Sequence, residues 1–174
     1  CAQLVPEGWA VAVDAETGRF IDFGMRVLDR RLDEGFDAAV VMLGNNYGAD
    51  QQVFEDGMRA IVEELAPRPT LLFSVTLFRP DRAEVNEVVY DIASDFDNVR
   101  VIDWAGETEA DRALLGGDGL HLSDLGRARI VEMMVEELGE APHDDGDGVG
   151  YGSDFGDGDG EGECLGSSFT DDSA

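Results

Sequence analysis

Lysine is absent: all 12 basic residues are arginines, set against 39 acidic residues, for a net charge of −27. Such an excess of negative charge repels nucleic-acid phosphates and anionic lipid head groups, so no nucleic acid is expected as a partner. It also leaves no ammonium side chain for a phosphate loop. No glycine-rich loop of that kind follows any strand-like run, which argues against a nucleotide-binding or receiver-type module. Cysteine occurs only as Cys1 and Cys164, which supports neither a disulfide framework nor a cysteine metal site. No apolar run approaches the ~18 residues of a membrane span, and no signal-peptide pattern is present, so no direct membrane insertion is expected. Histidine is scarce as well. His121 lies in the body of the chain and His143 near its end.

What is present falls into two compositions. Residues 140–174 hold 11 acidic residues, nine glycines and no basic residue, with apolar residues scattered at no period. Such a stretch is expected to be a disordered acidic tail. Its Asp/Gly runs distantly resemble calcium loops, but the spacing fits neither an EF-hand nor a nonapeptide repeat. Residues 1–139 form the expected single domain. There Trp9–Asp14 reads as a buried strand, and Ile21, Met25, Leu28 and Leu32 recur at helical spacing up to a capping Gly35. Ala38–Leu43 is a continuous apolar strand ending at Gly44. Phe54, Met58, Ile61, Val62 and Leu65 form a second helical stripe, stopped by Pro67. Thr70–Thr76 and Val99–Asp103 read as strands around a third helix over Val85–Phe96, and Ser123 opens a last helix. This alternation predicts an α/β class: a three-layer, flavodoxin-like sandwich around a parallel sheet. In such folds ligands bind beyond the carboxyl ends of the strands.

Three loops at those ends carry chemistry. Asp118-Gly-Leu-His121 pairs an imidazole with a carboxylate three residues earlier, a spacing that lets the carboxylate hold the ring's tautomer while the far nitrogen takes a proton. On spacing alone it fits better a histidine tied to a local aspartate for structural reasons, since Asp-x-x-His pairs are common by chance. Leu43-Gly-Asn-Asn-Tyr-Gly48 puts asparagines at a strand's carboxyl edge, where a side-chain amide can face a developing oxyanion, or simply make a turn. In Asp14-Ala-Glu-Thr-Gly-Arg19, Gly18 could turn a backbone N–H toward the same space.

In combination and order, "VDAETGR", "VVMLGNNYG", "VIDWAG" and "GDGLHLSDLGR" resemble the SGNH (GDSL-like) hydrolase superfamily. They are closest to the SGNH domains attached to membrane O-acyltransferases that decorate cell-surface glycans. The likeness spans roughly residues 8–138. It implies that Asp118 and His121 are the acid–base pair of a Ser-His-Asp triad, and that Gly18 and Asn46, with Asn45 as the alternative to Asn46, belong to an oxyanion hole. It implies no cofactor and no metal, a small-molecule or glycan ester as substrate, and an extracytoplasmic setting. The family's Gly-Asp-Ser block is missing. Ser74 falls in a buried strand, Ser94 on an outer helix face, Ser123 at a helix cap, and the other serines in the tail. The nucleophile and the first strand of the sheet are therefore expected upstream of Cys1, in a longer parent. The rival expectation is a degenerate, non-catalytic domain that binds glycan or docks onto a partner.

Overall fold

The computed structural model describes residues 8–142. The tail beyond Pro142, with His143 and Cys164, lies outside the described residues, as does Cys1. The order is α1 (Asp22–Arg31), β1 (Ala39–Val41), α2 (Gln51–Leu65), β2 (Thr70–Phe73), α3 (Arg82–Asp95), β3 (Val99–Ile102), α4 (Trp104–Ala110) and α5 (Asp124–Leu138). Single 3-10 turns at Leu32–Glu34 and Arg112–Leu114 follow α1 and α4.

The sheet is parallel, in the order β1-β2-β3, with Val41 opposite Leu72 and Phe73 opposite Ile102. Side chains of β2 alternate between two cores. Leu72 joins Phe54, Met58, Ile61 and Val62 of α2 and Val85, Val89 and Ile92 of α3, together with Leu28 of α1. Leu71 and Phe73 join Ile102, Trp104, Leu114 and, from α5, Ile130 and Met133. A core on each face makes three layers, with α1, α2 and α3 on one side and α4 and α5 on the other. Full burial of each large aliphatic side chain contributes about 1.5–3 kcal/mol, and β2, buried at all four positions, is the hub of both cores.

Local chemistry sets the helix ends. Asp50 caps α2 by accepting the Val53 N–H. Ala66, preceding Pro67, is extended (ψ 144°), as a residue before proline prefers. Asp103 caps α4 through Gly106 and Ser123 caps α5 through Gly126. Beyond β2, the side chain of Asn86 accepts from the Val75 N–H at 2.7 Å and donates to its carbonyl at 2.9 Å, taking the place of a neighbouring strand.

One expected strand does not form. Trp9–Asp14 makes no ladder, and residues 10–20 are exposed, Val11 at 37% and Val13 at 50%. The segment instead runs from the end of α5, where Trp9 Nε1 donates to the Gly139 carbonyl at 2.9 Å, to the end of α1, where Arg31 donates to Asp14; beyond it Glu16 pairs with Arg19, whose guanidinium lies over Phe23. The physical reason is the lack of a ladder partner. An apolar alternating segment becomes a strand only where a neighbour accepts its backbone bonds, and none of the described residues pairs with the outer edge of β1.

Candidate active site

The Asn46 loop begins where the extended chain after β1 reaches Gly44. With φ +120°, and with a Cβ there falling 2.5 Å from Val85 Cγ1, the position admits only glycine. The turn brings Asn45 against α3. The Asn45 carbonyl accepts from Arg82 Nε at 3.2 Å and from Nη2 at 2.8 Å. Asn46 is exposed and lines a shallow cavity of about 200 Å³ with Phe20, Ile21, Tyr47, Val53 and Phe54. Neither its side chain nor its backbone N–H is bonded among the described residues. Tyr47 forms part of the wall: its ring meets Phe54 edge-on at 5.8 Å and its hydroxyl donates to Glu84 at 2.5 Å. Burial, then that bond, pushes the Tyr47 phenol up to about 12.

Gly18 occupies the turn ahead of α1, with open space around it. Its loop reaches the Asn46 loop through Phe20, whose ring would lie 4.0 Å from a Cβ on Gly48. The Gly18 and Asn46 loops are thus neighbours, although Gly18 itself is not part of the cavity wall.

The His121 loop is built differently. Leu115 and Leu122 form an antiparallel bridge, closed by the Gly116 N–H to the His121 carbonyl at 2.6 Å and a turn from Gly119 to Gly116. Ser123 ties the base of the loop, donating its hydroxyl to Ala113 O and its N–H to Leu114 O. At the tip, Asp118 Oδ1 accepts the N–H of Leu120 and of His121, each at 3.0 Å, while Oδ2 lies 2.5 Å from His121 Nδ1. The ring bond first, then the two backbone N–H groups, hold the Asp118 carboxyl well below the usual carboxylate range. An imidazole that donates Nδ1–H to a carboxylate keeps Nε2 as the basic nitrogen. That nitrogen has no partner among the described residues, and 75% of the side chain is exposed.

The carboxyl edge of the sheet is common to both loops. Arg100, near the start of β3, pairs with Glu137, near the end of α5, at 3.6 Å. Running back ~20 Å along α5 at 1.5 Å per residue places the His121 loop beyond the carboxyl end of β3. The Asn46 loop follows the carboxyl end of β1. Asp118 and His121 are brought into contact; His121 and Asn46 share neither a hydrogen bond nor a cavity.

The three serines of the described residues are committed elsewhere. Ser74 is fully buried, bonds Asp103 and accepts the Ala105 N–H. Ser94 donates to the Asp91 carbonyl, and Ser123 is the α5 cap. No group of three or more His, Cys, Asp or Glu side chains among the described residues is placed to hold a metal ion. No helix among them is long and apolar enough to cross a membrane.

The architecture has a solved counterpart. The chain is similar to the lipase/acylhydrolase from Enterococcus faecalis. The match covers 70% of this chain and 71% of that one, with a TM-score of 0.63 at 21% identity, which establishes a shared α/β fold and leaves the chemistry to be argued from residues. No family model matches the chain, and no curated protein does.

Two supporting residues escaped the sequence reading. Arg82 gave no signal of burial. Gly126 did: a glycine inside a helix marks close packing, and a Cβ there would fall inside the van der Waals shell of the Leu114 carbonyl, the group that anchors Ser123.

Proposed function

We propose that this chain is the larger part of a serine-dependent acyl-ester hydrolase or O-acyltransferase domain whose nucleophile is carried by an upstream segment. The observation that carries the proposal is the Asp118–His121 pair, its Nε2 free at the carboxyl edge of a sandwich shared with an acylhydrolase. The upstream strand is argued from topology. α1 lies on the same face as α2 and α3, so right-handed crossovers place any parallel strand preceding α1 beyond β1, away from β2. The outer edge of β1 and the exposed Val11 and Val13 are then the unfilled sides of one gap.

In the completed site the serine hydroxyl attacks the acyl carbonyl and His121 Nε2 takes its proton. Asp118, ionised, supports the imidazolium. Asn46 and Gly18 donate to the oxyanion, each such donor lowering the barrier by ~3 kcal/mol. His121 then protonates the departing alkoxide, and water or a sugar hydroxyl resolves the acyl-enzyme. No cofactor enters. A neutral glycan ester suits an acidic surface better than an anionic substrate does. The resemblance of the sequence blocks supports a short acyl group on a cell-surface polysaccharide, an extracytoplasmic setting and a membrane acyltransferase domain as partner in the parent. The commitment of all three described serines favours a second reading, a non-catalytic glycan-binding or docking domain.

Aryl acetate hydrolysis separates the two. Residues 1–174 alone are expected to show none. The same chain expressed with its upstream coding sequence is expected to turn over, and His121→Ala to lower kcat by ~10³-fold or more without unfolding. Turnover by residues 1–174 alone overturns the upstream serine, and an inert extended chain favours the binding domain.

A further inference from the structure

Arg82 is unlike the other arginines. The eight others that form ion pairs keep at least 29% of the side chain exposed, the lowest being Arg129, whereas Arg82 is 3% exposed. Burying a guanidinium is costly unless its donors and charge are satisfied, so its contacts show what it holds. Nε and Nη2 both reach the carbonyl of Asn45. Nη1 lies 2.9 Å from Asp81 Oδ2, yet is too poorly aligned for a hydrogen bond and is left buried without a partner. The plane is flanked by the rings of Phe78 at 4.9 Å and Tyr47 at 5.6 Å. The Asn45 side-chain oxygen is itself buried and unpartnered, so the part of Asn45 that is gripped is its backbone.

We propose that Arg82 is a positioning residue, acting through the Asn45 carbonyl to aim Asn46 at the site. The inference rests on the reading of Asn46 as an oxyanion donor and adds what holds it in place. The Asn45 carbonyl and the Asn46 N–H are two ends of one planar peptide unit. A rigid two-pronged grip on the oxygen fixes that plane, and with it the direction of the Asn46 N–H and the root of the Asn46 side chain. A positive charge on the oxygen also polarises the unit, which strengthens the N–H at its far end as a donor. Asn46 thus brings a side-chain amide and a backbone N–H to the rim, both unbonded and both governed by a residue on another helix.

Two variants on the full 174-residue chain test this. In Arg82→Gln, hydrogen exchange at the Asn46 amide is expected to rise about tenfold as the loop is released, with amide signals of β2 and α5 unmoved. Arg82→Lys, which keeps charge and stem but loses the fork, should fall between. In the upstream-extended enzyme, Arg82→Gln should lower kcat by about 10- to 100-fold with little change in KM, and Arg82→Lys should restore part of it. Unaltered Asn46 signals in either folded variant overturn the proposal. If neither variant folds, the unmodified chain decides: a solvent-protected Arg82 Nε–H supports the grip, and one exchanging as fast as an exposed guanidinium refutes it. An inactive extended wild type refutes the catalytic reading instead, leaving the exchange results to decide the grip separately.

Discussion

The two loops at the carboxyl edge are held in opposite ways. The His121 loop supports itself: within four residues Asp118 receives two backbone N–H groups and the imidazole, while both side chains stay in solvent. The Asn46 loop is gripped from outside, by Arg82 and Glu84 across 37 positions of sequence. A self-contained turn keeps its geometry whatever happens to the sheet. A loop held by a neighbouring helix keeps its geometry only while strand and helix stay in register. The histidine loop is therefore expected to be the robust one of the two and the asparagine loop the sensitive one.

The contrast fails if the His121 loop depends on distant packing for more than its base. Its base is Leu114 against Gly126, and there the largest effect is expected: Gly126→Ala should cost about 1–3 kcal/mol through overpacking, read as a lowered thermal midpoint. The tip should nonetheless retain its Asp118–His121 bond in the fraction still folded, seen in the ring nitrogen shifts. A subtler test concerns acid. The folded Asp118 carboxyl titrates below its unfolded value, so its contribution is present above the usual aspartate value of ~3.9 and is lost only as pH falls through the lower folded one. Its carboxyl carbon shift should stay flat from about pH 6 to 3.5. A midpoint near 3.9 would show that the loop does not hold itself. The smallest effect is expected at Val13. Val13 is 50% exposed, so Val13→Ser should change stability by no more than ~0.5 kcal/mol in this chain, yet should destabilise an upstream-extended chain in which that side chain is covered. A large loss in the short chain would place Val13 in a core.

The same division explains what could be read from the sequence. The Asp118–His121 contact was legible because both partners sit in one short stretch. The α/β alternation was legible because β2, buried on both faces, needs a continuous apolar run, and α2 needs a stripe such as Phe54, Met58, Ile61 and Leu65. Arg82 was not, since nothing in Arg-Pro-Asp-Arg distinguishes a surface arginine from one buried under a loop 37 residues away. α4 was missed because seven residues containing Gly106 are too few to show a period. Trp9–Asp14 was misread because alternating valines state a preference, while forming a strand needs a neighbour that the described residues do not provide. Ser74 was set aside as part of a buried strand; it lies just past β2, buried, with its hydroxyl bound to Asp103.

The outer edge of β1, unpaired among the described residues, has a colloidal consequence. An open strand edge invites another copy to pair with it, but copies that each carry a net charge of −27 repel one another across dilute buffer. Added salt shortens that repulsion to about 8 Å at physiological strength and 3 Å at 1 M. The acidity of the chain thus doubles as a guard on that edge, strongest in fresh water and weakest in brine.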